Sequence, residues 1–501
     1  MVDPTTTRTV PSFVRALGEA YDDRPAIVAG DELLTYRDLD TRSALLARGL
    51  LARGVGKGSR IGFVFGNSPE WVVAWAAIAR TGAVPVPLST FSKPPELARV
   101  IRHADLQGVI AQRTYRHQDF VEHLGAGFPT LADTSDPELR FTDAPFLRWI
   151  VFADGDVPAW AHPMAWFEDG AERYDEQLLR AAEESVHPDE PGLMIYTSGQ
   201  SASPKGVLLS HGGVMAKTHY LRHMLEIDAD SVKQATMPFF WVGGLVMTLF
   251  TTLDAGGIVV CGDAPVDARV LGSRGQNSIN PADAQFRMFV GLGMTETFGI
   301  YSWGREAADP ERSVCTPLVA FEPGYDIKVV DPLGRPVADG GRGEMLVRGP
   351  TMMLGLHKVD RAEALDSDGF YRTGDEVQVV GDTLLFVGRL GDMIKTSGAN
   401  VAPAEVEQEL LALEGIASAY VVAIPDKKRG QLVGAAVVAD EGIELDESAI
   451  LATLRARLST YKVPKLLVVL ERDEVPMLPS MKLAKPELAR LVRERAAGAG
   501  D

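Results

Sequence analysis

Apolar and polar positions along this 501-residue chain alternate between helical and strand-like periods. After Leu34-Thr35-Tyr36, apolar residues recur at helical spacing across residues 37–53, which predicts an amphipathic helix. Residues 54–58 (GVGKG) predict a turn, and 60–65 (RIGFVF) a buried strand. Residues 69–83 (PEWVVAWAAIARTGA) predict a strongly apolar helix, and 84–87 (VPVP) lead onward. A further helix is expected over 95–104 and a short strand over 108–111. Such alternation implies parallel sheets with covering helices. Between residues 113 and 191 the pattern weakens, and acidic, proline-containing segments predict surface loops and short elements.

The texture changes twice more. From Tyr325 onward short strands are expected at 326–330, 343–348 and 384–387, which together read as a small β-subdomain. Beyond residue 388 helices are expected at 405–413 and 447–458, and strands at 416–424, 432–438 and 465–470. That is a compact α+β unit of about 110 residues, a size able to fold alone. The fold class is therefore α/β, with a large N-terminal domain at 1–388 and a C-terminal α+β domain at 389–501. The Ala/Gly/Arg-rich tail, residues 495–501, is expected to fray.

Composition narrows the function. Apolar residues make up 46% and charged residues 24%, as in a globular protein with large cores. A net charge of −18 argues against a nucleic-acid partner and against attraction to anionic membranes. Cys261 and Cys315 show no metal-ligand spacing; they could pair, but read rather as lone buried thiols of a reducing compartment. The N-terminus lacks a charged region followed by an apolar core, so no signal peptide is read. The apolar stretch 241–260 contains Gly243, Gly244, Asp254, Gly256 and Gly257, and so predicts helix, turn and strand rather than a membrane span. A cytoplasmic location follows as the expectation.

The segment with the most chemistry is 195–206, IYTSGQSASPKG. Its apolar lead-in delivers a hydroxyl-rich, glycine-containing loop that ends on Lys205. Backbone N–H groups, hydroxyls and an ammonium suit an anion, above all a nucleotide phosphate. No Gly-Lys-Ser/Thr closes it, so it is not a Walker A loop. Four more segments follow in order: GLGMTETFG at 291–299, YRTGD at 371–375, GRLGDMIKTSGANVAPAEVE at 388–407 and VPMLPSMKLAKPEL at 475–488.

Together these five motifs resemble the adenylate-forming superfamily of acyl-CoA synthetases, luciferases and peptide-synthetase adenylation domains, from about residue 13 to residue 488. The resemblance implies that a carboxylate attacks the α-phosphorus of ATP, and that a thiol, usually coenzyme A, then displaces AMP. It implies that the loop at 197–205, with Thr197, Ser198, Gly199, Ser201 and Lys205, holds the β- and γ-phosphates. Thr295 would touch the α-phosphate region and Glu296 would bind Mg²⁺, a hard ion suited to carboxylate oxygen. Asp375 would accept hydrogen bonds from both ribose hydroxyls, and Arg389 would contact ribose or phosphate beside the interdomain hinge. Lys482 matches the lysine that bridges carboxylate and α-phosphate, with Lys485 as competitor. The C-terminal domain would be mobile, swinging after the first step so that Gly398 flanks the pantetheine tunnel. Phe240, Trp241 and Gly243 would contribute to the acyl pocket, with Trp241 as a larger apolar wall where the superfamily often has histidine. No acidic residue is placed for an amino-acid substrate's ammonium, so the expected small-molecule partner is an apolar carboxylic acid.

Three departures bear on activity. The phosphate loop reads Gln200-Ser201-Ala202 and Met481 precedes Lys482 in place of the usual glycine, whereas Gly391, at the hinge position where Asp or Lys is usual, should still allow the dihedral change. The chain is also short between about 261 and 290, with only 34 residues between Val260 and Thr295. The leading expectation is an AMP-forming acid–CoA ligase, with delivery to a carrier-protein thiol as a variant. The alternative is a degenerate member that binds nucleotide or acyl ligand without turnover.

Overall fold

The computed structural model of the chain describes residues 8–197, 205–262, 290–304, 317–318, 320–390, 393–477 and 483–498. They divide into two compact units. The first comprises residues 1–90, 100–196 and 206–388; the second comprises 91–99, 197–205 and 389–501.

The first unit is layered α/β. Strands Val84–Pro87, Arg60–Val64, Gly108–Ala111, Trp149–Phe152 and His162–Pro163 form one parallel sheet in that spatial order. Helix Pro69–Arg80 covers it, with Pro69 at its first position and the Ser68 hydroxyl accepting from the Trp71 N–H. Every residue of this helix except Glu70 is buried, as a helix apolar on all sides requires. Its last residue, Arg80, is buried against Glu183 and Asp40 rather than left unpaired.

The weakly patterned region 113–191 holds short elements among its loops, as expected, at positions that the patterning does not mark. Strand Trp149–Phe152 is buried at all four positions and pairs with Gly108–Ala111. A strand buried on both faces carries no polar alternation, which is why periodicity concealed it. The Trp149 ring lies where a side chain at residue 108 would be, and only glycine fits there.

A second sheet orders Val232–Gln234, Ile258–Cys261, Pro25–Ala29 and Glu32–Thr35. The stretch at 241–260 is indeed helix, turn and strand. The helix runs from Val242 to Ala255 with a π-helical segment at Leu245–Phe250, and Gly256 turns it at φ +76°. Cys261 is a buried free thiol, whereas Cys315 lies outside the described residues. The β-subdomain is an antiparallel sheet ordered Pro317–Leu318, Thr383–Arg389, Tyr371–Val380, Arg342–Arg348 and Asp326–Val330.

In the second unit, the antiparallel pair Ile416–Asp426 and Gly430–Ala439 is flanked by Leu466–Val469 and by the short hairpin Ile394–Thr396/Ala399–Val401. The Lys462 ammonium is buried between Glu96 and Glu405, 2.7 and 2.8 Å from their carboxylates. Of the tail expected to fray, residues 495–498 are helical and 499–501 lie outside the described residues; Arg495 pairs with Glu474 at the surface. No described helix is long and apolar enough to cross a membrane.

A buried histidine makes the first unit acid-sensitive. His211 Nδ1 accepts the Val10 N–H at 3.3 Å, and its Nε2 has no partner among the described residues. Burial, with a smaller push from Lys57 and against the pull of Glu190, lowers its pKa to about 4. Between about pH 6.5 and 4 the unfolded chain then binds a proton that the folded chain refuses, so stability falls on acidification. His211→Asn keeps an acceptor without the titration, and acid-side denaturation curves should show a shallower loss by about 2–3 kcal/mol.

Candidate functional site

Two sequence motifs meet in the first unit. Strands Val290–Met294 and Gly299–Gly304 form a hairpin whose connection, Thr295–Thr297, is one 3₁₀ turn. The Thr297 hydroxyl secures that turn, accepting from the Met294 N–H at 3.2 Å and lying 2.7 Å from the Gly299 carbonyl. Phe298 takes φ +50° and Gly299 φ +112° to complete the reversal. A Cβ on Gly299 would also stand 2.8 Å from Val246, so the position needs glycine for space as well as conformation. Val246 belongs to the π-helical segment, and Phe250 of the same segment packs 6.1 Å from Phe298. Below the hairpin the buried Lys217 ammonium pairs with Glu322 and donates to the Ile300 carbonyl at 3.1 Å. Burial outweighs the pull of Glu322 and lowers the Lys217 pKa to about 8. Nothing in the local sequence signals this ion pair, since its partners lie 105 positions apart.

The turn holds Thr295 buried and Glu296 half-buried. The Glu296 backbone carbonyl accepts the Met353 N–H at 2.7 Å, and its side-chain Oε1 accepts the Tyr371 hydroxyl at 2.8 Å. Tyr371 opens the YRTGD motif, so the bond joins two motifs 75 residues apart.

The rest of that motif is a bulge. Arg372 pairs with Leu346 and Glu376 with Glu344, so Thr373, Gly374 and Asp375 together face one residue, Met345. Each residue type has a task. The Thr373 hydroxyl donates to the Met345 carbonyl at 2.6 Å and accepts the Asp375 N–H at 3.0 Å. Gly374 adopts φ +71° and gives its N–H to Glu344. Asp375 is thereby buried, 1% exposed, in mid-strand.

Ahead of the π-helical segment, Phe240 and Trp241 stand edge to face at 5.7 Å, and a Cβ on Gly243 would touch Met237. Asn67, which the motifs did not single out, fixes this turn. Its amide donates to the Met237 carbonyl and accepts the Phe239 N–H, both at 2.9 Å. Its signal was only the Gly66-Asn67-Ser68 punctuation between strand and helix.

In the second unit Gly398 sits in the hairpin turn at φ +83°, with open space where a Cβ would be, so backbone conformation alone accounts for the glycine. Thr197 and Lys205 are half-buried at the ends of strands Pro191–Thr197 and Lys205–Ser210. Ser198, Gly199, Ser201, Lys482 and the Arg389 side chain lie outside the described residues, as do Gln200, Ala202, Gly391 and Met481.

For Mg²⁺ the donor set fits. Among the described residues no cluster of three carboxylates, histidines or cysteines could cage a metal. Glu296, with Oε1 engaged by Tyr371, retains Oε2, and Mg²⁺ typically takes one or two carboxylates plus substrate phosphates. Tyr371→Phe should free the carboxylate to rotate and raise the Mg²⁺ concentration for half-maximal activity about two- to tenfold, without changing the requirement for acid.

Comparison with known proteins decides the family. Residues 14–278 and 275–357 match the AMP-binding enzyme family, and residues 405–482 match the AMP-binding enzyme C-terminal domain. The chain belongs to the AMP-binding enzymes. Among curated members of the superfamily it is 30% identical to a feruloyl-CoA synthase of an Amycolatopsis species, over 93% of this chain and 95% of that protein. It is also 30% identical to an indoleacetate–CoA ligase of Aromatoleum aromaticum, over 92% and 94% respectively. A solved double mutant of the o-succinylbenzoate CoA synthetase of Bacillus subtilis shares the fold, with a TM-score of 0.72 at 22% identity over 95% of this chain and 98% of that one. A large α/β unit with a smaller C-terminal one is thus the family's architecture.

Proposed function

We propose that this AMP-binding enzyme activates an apolar carboxylic acid with ATP and transfers it to coenzyme A. The carrying observation is the Tyr371–Glu296 bond, which joins the GMTETFG and YRTGD motifs, with Asp375 four residues along the same strand. In the first step a carboxylate oxygen bonds to the α-phosphorus and the bond to pyrophosphate breaks. In the second, the thiol sulfur adds to the acyl carbonyl, AMP leaves, and the thiol proton passes to solvent.

The residues act by position and charge. Thr295 donates a hydroxyl to the α-phosphate, Asp375 accepts from the ribose, and Arg389 and Lys482 meet the phosphate charge from the C-terminal domain. Thr197, Ser198, Gly199, Ser201 and Lys205 hold the leaving pyrophosphate. Mg²⁺ at Glu296 supplies neutralisation of phosphate charge when bound. The acyl chain lies against Phe240, Trp241 and Gly243, and the thiol arm passes Gly398. An aromatic or other apolar acid is supported by the Phe240–Trp241 pair and by the acids named for the feruloyl and indoleacetate relatives. Coenzyme A as acceptor rests on the same relatives. ATP and CoA as co-substrates point to the cytoplasm.

One observation favours a second reading, a member that binds without turnover. The AMP-binding match falls into two segments meeting at 275–278. The alignment to the feruloyl relative also spans 514 positions although this chain has 501 residues, so that relative carries residues absent here. The split match supports a shortened N-terminal domain. Pyrophosphate exchange into ATP, run over a panel of acids, separates the readings. Exchange with an apolar acid followed by acyl-CoA formation is the expected result. Exchange without a CoA product assigns the carrier-protein variant, and no exchange with any acid leaves the non-catalytic reading.

A further inference from the structure

Beneath the Glu296 turn, within the first unit, a closed polar network fills space that apolar side chains would ordinarily occupy. Lys217, on helix His211–Met224, is buried, as are Glu322 and Thr351. The Lys217 ammonium pairs with Glu322 and stands 5.2 Å from the centre of the Tyr325 ring. Glu322 accepts the Thr351 hydroxyl at 3.3 Å, and the Tyr325 hydroxyl lies 2.8 Å from that of Thr351. A carboxylate can only accept, so Thr351 donates to Glu322 and is left to accept from Tyr325.

The network holds the turn from two sides. On one side Lys217 donates to the Ile300 carbonyl at 3.1 Å, and the Glu322 N–H donates to the Tyr301 carbonyl at 2.8 Å. Both carbonyls belong to strand Gly299–Gly304, which leaves the turn. On the other side Glu322 holds Thr351, two residues before Met353, whose N–H donates to the Glu296 carbonyl at 2.7 Å. Taking two charges out of water is costly, and an apolar pair of similar volume is often as stable or more so. What the ion pair adds is direction. Its hydrogen bonds fix the outgoing strand and the 351–353 segment against each other, and the Glu296 backbone is bonded between them.

We propose that Lys217 and Glu322 are positioning residues for Mg²⁺, acting through the turn that carries Glu296. The proposal rests on the reading of Glu296 as the Mg²⁺ residue. Neither side chain touches the ion or the substrate. Their effect is that the carboxylate is set before phosphate arrives, so less ordering remains to be done on binding.

The test reads ATP binding by calorimetry over a range of Mg²⁺ concentrations, beside thermal denaturation. Lys217→Met leaves Glu322 without its cation. It should lower stability and raise the Mg²⁺ concentration for half-maximal ATP binding about two- to tenfold. The double variant Lys217→Met, Glu322→Leu removes both charges and separates the two effects. It should regain most of the lost melting temperature yet keep the raised Mg²⁺ requirement, because neither Ile300 nor Thr351 is then held. Thr351→Val keeps the ion pair, loosens only the 351–353 side, and should raise the requirement about twofold. Recovery of the Mg²⁺ requirement together with the melting temperature gives the pair a structural role alone and overturns the proposal. A requirement unchanged in both the double variant and Thr351→Val overturns it as well. Glu296→Gln is the reference. If it raises the Mg²⁺ requirement while the other variants do not, only the positioning role falls. If Glu296→Gln leaves the requirement unchanged, the reading of Glu296 falls and the positioning role with it.

Discussion

Lys482→Ala should lower acid-dependent pyrophosphate exchange about 10²- to 10³-fold, the cost of removing one placed donor from charge developing in a transition state. The same variant, given a preformed acyl adenylate and coenzyme A, should make thioester within a few-fold of the unaltered rate. The asymmetry follows from the chemistry. Adenylation brings an anionic carboxylate onto a polyphosphate, and an ammonium between them is worth most at that moment. Thioester formation expels AMP and has no such encounter. Lys485, three residues on, supplies the control. If Lys485→Ala rather than Lys482→Ala silences exchange, the assignment moves to the other lysine. Equal loss of both half-reactions would remove Lys482 from the chemistry and leave it a structural role.

Asp375→Ala should raise the ATP requirement about 10- to 100-fold, since hydrogen bonds to a charged group are each worth about 1.5–3 kcal/mol. Asp375 is 1% exposed and sits at the end of a three-residue bulge whose geometry is set by Thr373 and Gly374, so it is held before any ligand arrives. Analogues make the prediction specific. The unaltered protein should discriminate ATP from its 2′-deoxy and 3′-deoxy forms, and the variant should treat all three alike. Continued discrimination by Asp375→Ala would take the ribose away from this carboxylate. Thermal denaturation of the variant separates that outcome from a general loss of fold, because removing a buried carboxylate also disturbs whatever it contacts.

Much of the architecture was legible before any coordinates. Strands Asp326–Val330 and Gly108–Ala111 fall where the apolar patterning put them. Helix Glu447–Arg457 ends within one residue of expectation. These elements carry their own punctuation in Gly, Pro and Asp. Strand Trp149–Phe152 escaped because burial on both faces erases alternation, and the helical end at 495–498 escaped because its Ala/Gly/Arg composition reads as a frayed tail. The site shows the same division. Glu296 and Asp375 announced themselves through motif context. Tyr371 stands within its motif, but nothing local marks its hydroxyl as a partner of Glu296; Asn67 is marked only by the punctuation around it, and Lys217 by nothing local.

The order of five motifs determined the family and singled out the residues proposed to meet phosphate, ribose and metal. Such information is local, because each motif's residue types are demanded by the group they face. Tertiary structure alone decided what orients those residues. It set the tyrosine hydroxyl on Glu296 across 75 positions, the bulge that buries Asp375 and the glycine against Val246. The physical reason is that orientation comes from contacts between segments distant in sequence, and periodicity and spacing report only on a residue's near neighbours.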